Sequence, residues 1–258
     1  MEVLNPHSVL VTGSNRGIGL EIVRQLARKS NRPQWIFATC RDPESPRAQE
    51  LKKLTAKHQG LVIVPMDVSD PSSVKAAAAQ VTEQLKGAGL NLLINNAGIG
   101  IPGVLETVKP EHMTEVYQTN VVGPLMVSQE FLPLLKKASQ ESNQKGMSCS
   151  KAAIVNISSI MGTITNIIGW DFIQSVPYRC SKAALNMLTR CMSLRFAEDK
   201  ILCIALHPGW VQTDMGTGVK SGPATVDGNV QEILSTLGQL SEKDTGTFVS
   251  WDRKPLAF

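Results

Sequence analysis

Short runs of apolar and β-branched residues recur along the chain, and each is followed closely by glycine or polar residues. Runs of this length and composition are typical of strands that are buried on both faces of a sheet. We predict about seven strands, at residues 7–12, 34–39, 61–65, 90–95, 151–159, 201–206 and 246–251.

Between these runs, apolar residues recur at the spacing of an amphipathic helix. We predict one helix that begins near Tyr178 and others at residues 20–28, 45–59, 72–86 and 230–240. Strands and helices alternate without a linker or an internal repeat. This order predicts a single α/β domain over residues 1–258, built on a doubly wound parallel sheet with helices on both faces.

Residues 111–135 predict either one long helix or a broken pair of helices, with Asn120 in the middle. Asparagine is a poor helix residue because its side chain competes for backbone hydrogen bonds. Unless Asn120 has a function, we expect either that its side chain faces solvent or that the helix is kinked near Gly123 and Pro124.

The first predicted strand runs into a turn that contains Gly13, Gly17 and Gly19, and a helix follows. Free backbone N–H groups and the helix dipole favour an anion at a helix start, and glycines let the backbone approach a pyrophosphate. The turn therefore predicts a dinucleotide phosphate site, although its GxxxGxG spacing differs from the usual GxGxxG. A plain tight turn is the alternative.

The end of the second strand is where such a sheet meets the adenosine ribose. Here that end offers Arg41, with Arg16 available from the glycine turn. Two guanidinium groups favour the 2′-phosphate of NADP, whereas an acidic residue would favour the 2′-hydroxyl of NAD. Asp42 follows directly, and we interpret it as a turn residue before Pro43. We therefore predict NADP(H) as the cofactor.

Polar and small residues also follow the third and fourth strands. Asp67 could accept a hydrogen bond from the adenine amino group, while Ser69 or Asp70 could cap the next helix. The sequence Asn95-Asn96-Ala97-Gly98 follows the fourth strand, and its small residues indicate backbone in close contact with a ligand or a neighbouring strand. Asn95 could brace both strands.

Tyr178 and Lys182 are four residues apart on a predicted helix, so their side chains lie on one face. A free tyrosine has a pKa near 10, and a neighbouring cation favours the phenolate and lowers that pKa toward neutrality. The pair therefore predicts a catalytic acid or base. An amphipathic helix that carries both residues by chance is the alternative.

Composition restricts the function classes. The formal charge is +4 and the basic residues are spread, which argues against a nucleic-acid partner. The five cysteines are odd in number and lack a CxxC pair, so we expect no disulfide framework, no zinc site and a reducing compartment. We predict no signal peptide and no membrane helix, hence a cytoplasmic protein without a membrane partner.

In their order along the chain, these motifs resemble those of the short-chain dehydrogenase/reductase family, and the resemblance covers nearly the whole chain. The matching residues are Thr12-Gly13-x-x-x-Gly17-x-Gly19, Asp67, Asn95-Asn96-Ala97-Gly98, Asn120, Ser159, Tyr178-x-x-x-Lys182 and Pro208-Gly209. The chain further resembles the sniffer-type, C-factor-like carbonyl reductases at Arg16, Cys40-Arg41 and Trp251-Asp252. The resemblance implies a Rossmann-type fold and NADP(H)-dependent reduction of aldehydes or ketones.

The resemblance also implies a role for each catalytic residue. Tyr178 would protonate the substrate's carbonyl oxygen, Lys182 would lower the phenol pKa and bind the nicotinamide ribose, and Ser159 would donate to the substrate oxygen. Asn120 would hold a water that links Lys182 to solvent. The implied cofactor-binding residues are Gly13, Ser14, Asn15, Arg16, Gly17, Ile18, Gly19, Arg41, Asp67, Val68, Asn95, Ala97, Gly98, Tyr178, Lys182, Pro208, Gly209, Val211 and Thr213, and no metal is implied.

Two features depart from a simple match. Ser158 and Ser159 are adjacent, and we choose Ser159 because the family's serine usually closes this strand motif. Residues 163–175 make the connection to Tyr178 longer than in the shortest family members. We predict that this segment lines or covers an apolar substrate pocket, together with the glycine-rich loop 217–227; packing into the core or a subunit contact is the alternative. Its apolar side chains are Ile167, Ile168, Trp170 and Phe172.

Two further functions stay open. One is an NADP-dependent dehydrogenase that oxidises a steroid or another lipid alcohol, and the other is a catalytically silent, NADPH-binding regulator. An intact set of catalytic residues argues against the regulator. By analogy with the family we expect a homodimer or homotetramer, formed through the helices around residues 111–135 and 178–198.

Overall fold

The computed structural model describes residues 4–211 and 225–258, and within them one mixed sheet carries the fold. Its strands are β1 (Ser8–Val11), β2 (Trp35–Cys40), β3 (Leu61–Pro65), β4 (Leu92–Asn95), β5 (Ala153–Ile157), β6 (Leu202–His207), β7 (Phe248–Ser250) and β8 (Pro255–Leu256). They stand in the order β3-β2-β1-β4-β5-β6-β7-β8. All neighbours are parallel except β7 and β8, which are antiparallel. The predicted doubly wound sheet is confirmed, and the two-residue strand β8 is an addition that was too short to predict.

Seven α-helices in the described residues connect or cover these strands. They are α1 (Gly17–Arg28), α2 (Gln49–Thr55), α3 (Pro71–Leu85), α4 (Pro110–Tyr117), α5 (Gly123–Glu141), α6 (Val176–Arg195) and α7 (Val226–Gln239). The predicted helix 45–59 is shorter than expected, because a 3₁₀ turn at Pro46–Ala48 precedes α2. The cap of α3 is Asp70, whose carboxylate accepts a hydrogen bond from the N–H of Ser72 at 2.9 Å.

Both faces of the sheet are buried, as a parallel sheet requires. Successive side chains of a strand point to opposite faces. Val9 and Val11 of β1 pack with α1 and α7 in one core, while Leu10 packs with α3 and α5 in the other. None of the helices in the described ranges combines the length and apolar character needed to cross a membrane.

The region around Asn120 is a broken pair of helices. One turn of π-helix, Gln118–Val122, separates α4 from α5, and the Asn120 side chain is fully buried. The expectation that Asn120 faces solvent is therefore wrong. A π-turn shifts a side chain relative to the regular helical face and is frequent at functional sites. The π-turn thus accounts for the buried position of Asn120.

A buried chain of hydrogen bonds joins β4, β5 and α6. The Asn95 amide donates to the Asn156 carbonyl oxygen at 2.8 Å, and the Asn156 amide donates to the Thr189 hydroxyl at 2.8 Å. Asn156 and Thr189 are fully buried. Asn95 thus braces neighbouring strands as the sequence suggests, and the same chain fixes the height of α6 above the sheet.

We expect Asn156→Ala to destabilise the fold, because Asn95 and Thr189 each lose one buried hydrogen bond and keep only their bonds to Ser128 and the Leu185 carbonyl oxygen. Each lost bond costs about 1 kcal/mol. Denaturant unfolding of wild type and variant measures the change. Asn143→Ala, which alters an exposed asparagine, is the control, and equal unfolding midpoints for all three proteins would contradict the expectation.

Candidate active site

Most of the predicted site residues follow the ends of six parallel strands, and Ser159 is the one that follows β5. Since carboxyl ends of parallel strands meet at one edge, the sheet order brings them together. Gly13 to Gly19 follow β1, Arg41 follows β2, Asp67 and Val68 follow β3, Asn95 to Gly98 end β4, and Pro208 to Val211 follow β6. Thr213 and most of the predicted loop 217–227 lie outside the described residues.

The turn after β1 is clamped to the end of β4 by side chains. The Thr12 hydroxyl accepts hydrogen bonds from the N–H groups of Asn96 and Ala97, each at 2.9 Å. The Asn96 amide donates to the carbonyl oxygens of Thr12 and Gly13 at 2.9 and 3.1 Å. Thr12 and Asn96 were not among the predicted site residues. The sequence signal for them was a polar residue directly after each of two strands, β1 and β4.

Two glycines of this turn are required by its geometry. Gly13 has a φ of +66°, in the left-handed region that favours glycine. A Cβ at Gly19 would lie 2.4 Å from the Gly13 carbonyl oxygen and 2.5 Å from the Asn96 amide nitrogen. α1 begins within the turn at Gly17, so its first backbone N–H groups and the positive end of its dipole face this edge of the sheet.

The end of β2 lies beside this turn. The Ser14 N–H donates to the Thr39 carbonyl oxygen at 2.8 Å, and Arg41 is exposed one residue beyond β2. The Asp42 carboxylate accepts from the N–H of Glu44 at 2.8 Å, which confirms Asp42 as a turn residue. The acidic group nearest Arg41 in sequence is therefore engaged within its own turn.

Asp67 lies in the same region, after β3. Burial alone would raise its pKa, but hydrogen bonds from the hydroxyl and N–H of Ser69, together with the charge of Arg41, hold the pKa below its usual value. Its carboxylate accepts from the Ser69 hydroxyl at 2.6 Å and the Ser69 N–H at 2.9 Å. Arg41 and Asp67 thus act on each other across the ends of β2 and β3.

Asn120 joins three parts of the site. Its carbonyl oxygen accepts from the N–H of Ile99 at 2.9 Å, and its amide donates to the Ile99 carbonyl oxygen at 2.9 Å and the Ser181 hydroxyl at 3.0 Å. A Cβ at Gly98 would lie 3.2 Å from the Asn120 carbonyl oxygen and 3.8 Å from Lys182 Nζ. Asn120, Gly98 and Lys182 therefore meet at one point.

Tyr178 and Lys182 lie on one face of α6, as their spacing predicts. Ser159 lies close enough to Tyr178 to lower the pKa of its phenol. Lys182 Nζ donates to the Ile157 carbonyl oxygen at 2.8 Å and lies 5.4 Å from the centre of the Tyr178 ring. α6 and the end of β5 thus bring together a phenol, a hydroxyl and a buried amine.

The pKa values of this pair differ from the sequence expectation in one respect. Burial raises the pKa of Tyr178 to about 12, and the hydrogen bond from Ser159 offsets this only in part. Burial also lowers the pKa of Lys182 to about 8. The expectation that Lys182 brings the Tyr178 pKa toward neutrality is wrong for the protein chain alone, because removal of the phenolate from water has the largest effect on this pKa and Ser159 is the group that opposes it.

The two adjacent serines point to different partners. The Ser158 hydroxyl donates to the Asn186 carbonyl oxygen at 2.6 Å and is almost fully buried. The Ser159 hydroxyl accepts from the N–H of Met161 at 3.2 Å, where a 3₁₀ turn begins, and lies close enough to Tyr178 to lower its pKa. The geometry therefore favours Ser159 over Ser158 as the residue that meets a substrate with Tyr178.

The end of β6 is held by a histidine that the sequence analysis did not single out. His207 Nδ1 accepts from the N–H of Ile160 at 3.2 Å. Burial lowers the pKa of His207 to about 4, with a smaller opposing effect of Asp252, so the imidazole is a neutral acceptor at pH 7. Gly209 follows with a φ of +83°, and Val211 is 5% exposed.

The segment 163–175 leaves its apolar side chains at the surface. Ile164 is 73% exposed, Phe172 is 91% exposed, and every residue from 164 to 172 is exposed. The alternative that these side chains pack into the core is therefore wrong. The segment follows Ser159 and leads into α6, so it lies in the chain directly between the two hydroxyl groups of the site.

Comparisons with known proteins agree with this geometry. A family model described as short chain dehydrogenase matches residues 7–224. The crystal structure of NADPH-bound carbonyl reductase from chicken fatty liver is 56% identical, with a TM-score of 0.95, and the match covers 99% of this chain and 100% of that chain. The carbonyl reductase Sniffer of D. melanogaster is 38% identical, with a TM-score of 0.92 and coverages of 98% and 100%. An uncharacterised oxidoreductase of Schizosaccharomyces pombe is 30% identical over 96% of each chain.

The buried lysine makes a prediction about stability. Because the pKa of Lys182 falls from 10.5 to about 8 on folding, the unfolded chain binds the proton more tightly than the folded one. The free energy of unfolding should therefore rise with pH, by roughly 3 kcal/mol in total from this group. This rise in the free energy of unfolding should occur between about pH 8 and pH 10.5.

Unfolding measurements across this window on wild type and Lys182→Met should differ in slope, because the variant lacks the titrating amine. Lys75→Met, which alters an exposed lysine of α3, should follow the wild type. An identical pH dependence in wild type and Lys182→Met would refute the lowered pKa.

Proposed function

Because the chain belongs to the short-chain dehydrogenase family, we propose that it is an NADP(H)-dependent oxidoreductase that reduces the carbonyl group of aldehydes and ketones. The placement of Tyr178, Ser159 and Lys182 together carries this proposal, because Lys182 Nζ lies 5.4 Å from the centre of the Tyr178 ring and Ser159 is close enough to lower the Tyr178 pKa. This arrangement sets a proton donor and a second hydroxyl beside a buried lysine. A carbonyl oxygen at this point receives two hydrogen bonds, which stabilise negative charge as it develops there.

The edge formed by the ends of β1, β2 and β3 fits the adenosine and phosphate parts of NADP(H). The turn has no room for a side chain at Gly13 or Gly19, so its backbone and the start of α1 can approach a pyrophosphate. Arg41 is exposed and close enough to lower the pKa of Asp67, and a guanidinium group suits a 2′-phosphate. The chicken carbonyl reductase has NADPH bound in its crystal structure, which supports the same cofactor here.

The bound cofactor supplies the hydride that attacks the carbonyl carbon. Tyr178 gives its proton to the carbonyl oxygen, so the product is an alcohol. A pKa of about 12 keeps the phenol protonated at neutral pH, which is the form that an acid needs. Lys182, with a pKa of about 8, is mostly charged at pH 7, and its charge stabilises the phenolate left after proton transfer.

Asn120 connects this pair to the rest of the site. Its amide bonds Ser181, the residue before Lys182, and its carbonyl oxygen bonds the N–H of Ile99. The bond to Ser181 holds the π-turn against α6, and the bond to Ile99 holds it against the loop that follows β4. We propose that Asn120 supports a proton path that runs from solvent through Lys182 to Tyr178.

The substrates that we propose have apolar bodies. Ile164, Ile167, Ile168 and Phe172 are exposed on the segment that precedes α6. An apolar substrate that covers these side chains gains about 25 cal/mol for each Å² of apolar surface removed from water. The segment thus favours bulky apolar carbonyl compounds over small polar ones.

The oxidative alternative uses the same residues with Tyr178 as a base. That direction needs the phenolate, which burial disfavours because it raises the Tyr178 pKa to about 12. In the protein chain alone, Tyr178 is therefore in the protonated form that reduction uses. A silent regulator would need no proton donor at this position.

A homodimer or homotetramer and a cytoplasmic location stay predictions. Met187 and Leu194 of α6 are 65% and 66% exposed, and they are seven residues apart, which places them on one face of the helix. Such a face on α6 supports the predicted subunit contact.

The cofactor preference is testable at Arg41. We expect Arg41→Ala to weaken NADPH binding by about tenfold, since it removes a hydrogen bond to a charged group, and to leave NADH binding nearly unchanged. Quenching of tryptophan fluorescence gives both dissociation constants. Arg47→Ala, at another exposed arginine, is the control; equal weakening of NADPH and NADH would contradict a 2′-phosphate contact.

The catalytic roles are testable by removing single hydroxyl groups. We expect Tyr178→Phe to lower kcat for a ketone by about 10²–10⁴-fold and Ser159→Ala by about 10²–10³-fold, with NADPH still bound by both. Ser158→Ala loses bonds to the Asn186 side chain and the Lys182 carbonyl oxygen, neither of which is a proposed substrate contact, so its kcat should stay within a few-fold of wild type. A larger loss in Ser158→Ala than in Ser159→Ala would reverse the assignment.

A further inference from the structure

The exposed segment needs an anchor, because burial does not hold it. Every residue from 164 to 172 is exposed, so the hydrophobic effect contributes little to its position. Hydrogen bonds fix its two ends. Near the start, the Thr165 N–H and hydroxyl donate to the Phe258 carbonyl oxygen at 3.4 and 3.1 Å. Near the end, the Gln174 side chain accepts from the N–H of Leu105 at 3.2 Å.

Arg179 holds the part between these ends. Its Nη2 donates to the carbonyl oxygens of Ile168 and Ile173, each at 2.8 Å, and its Nε donates to the carbonyl oxygen of Gln174 at 2.7 Å. Its guanidinium carbon also lies 5.7 Å from the centre of the Trp170 ring. Within the described chain, residues 166–173 make their hydrogen bonds either to each other and their neighbours in the segment or to Arg179.

The guanidinium group is suited to this task. It is planar and permanently charged, and its donors form a fixed fork, so it can bind several carbonyl oxygens at once. Arg179 is only 8% exposed. Hydrogen bonds from a charged donor are stronger than neutral ones, and burial removes the competition from water. A lysine could not reach the same three carbonyl oxygens with one ammonium group.

The place of Arg179 in the chain links the segment to the acid. Arg179 directly follows Tyr178 on α6, so the segment is tied to the same helical turn that carries the proton donor. Ile168, whose carbonyl oxygen Arg179 binds, is one of the exposed apolar residues of the segment.

We propose that Arg179 is a positioning residue that fixes the apolar segment 163–175 relative to Tyr178 and thereby sets the size and shape of the carbonyl substrates that the site accepts. The specificity role rests on the proposed carbonyl reduction at Tyr178. The anchoring role does not, since it concerns only contacts within the chain.

The test uses the full chain and three variants. Arg179→Met keeps an apolar stem and removes all donors, while Arg179→Lys keeps the charge and loses the fork. Arg195→Met alters an exposed arginine in the last turn of the same helix and is the matched control. Arg179→Lys also preserves the test if Arg179→Met folds poorly, and thermal unfolding of each variant checks folding.

The first measurement is limited digestion with chymotrypsin, with the cuts located by mass spectrometry. We expect cleavage after Trp170 and Phe172 to become at least about tenfold faster in Arg179→Met, because local opening of the segment becomes less costly. Arg179→Lys should fall between, and Arg195→Met should match the wild type. Unchanged cleavage of the segment in both Arg179 variants would overturn the proposal.

The second measurement compares a bulky aryl ketone with a small aliphatic aldehyde. We expect Arg179→Met to raise KM for the ketone by about tenfold, with kcat/KM for the aldehyde and the dissociation constant of NADPH within about threefold of wild type. Equal losses for both substrates would show a general structural defect and overturn the specificity role. A wild type that reduces neither compound would refute the proposed function and that role together, while the digestion would still decide the anchoring.

Discussion

Buried amide and hydroxyl side chains hold the carboxyl ends of β1, β4 and β5 together, and the position of every proposed catalytic residue depends on them. Asn96 clamps the glycine turn, Asn156 ties β5 to β4 and α6, and Asn120 ties the π-turn to α6. A buried polar group without a partner costs more than the bond itself contributes. The network therefore admits one arrangement of strand ends, which is what a site of fixed geometry requires.

This fixed geometry also explains the electrostatics of Tyr178 and Lys182. Both lie where water is largely excluded, so the neutral form of each gains relative to its charged form. In the proposed reaction the phenol would hold its proton until negative charge develops on a substrate oxygen, and the ammonium of Lys182 would then favour the phenolate. The two opposing effects would thus act at different stages of that reaction.

The hydrophobic pattern and the residues at the strand ends were sufficient to predict the sheet. Seven of the eight strands are short apolar runs bounded by glycine or polar residues, which is the pattern of a buried strand. The spacing of Tyr178 and Lys182 predicted that pair, whereas Ser159 and Asn120 entered the predicted site only through the resemblance to the family. Thr12 and Asn96 belong to the matching motifs, but their mutual hydrogen bonds were not predicted because these depend on β1 and β4 being neighbours in the sheet. The direction of the Tyr178 pKa shift depends on burial, and a spacing of four residues does not report burial.

Arg179 shows the limit of local reasoning most clearly. In the sequence it is one more basic residue inside a helix, and at that position a solvated side chain is the ordinary expectation. In the structure it is buried against main-chain carbonyl oxygens of the segment that precedes its own helix. A segment with exposed apolar side chains cannot be ordered by its own burial, so a charged side chain from the rigid helix orders it through the backbone. Because these bonds go to the backbone, the side chains of the segment can change while Arg179 still holds its position. The residues that would form the proposed substrate surface are thus different from the residue that holds the segment in place.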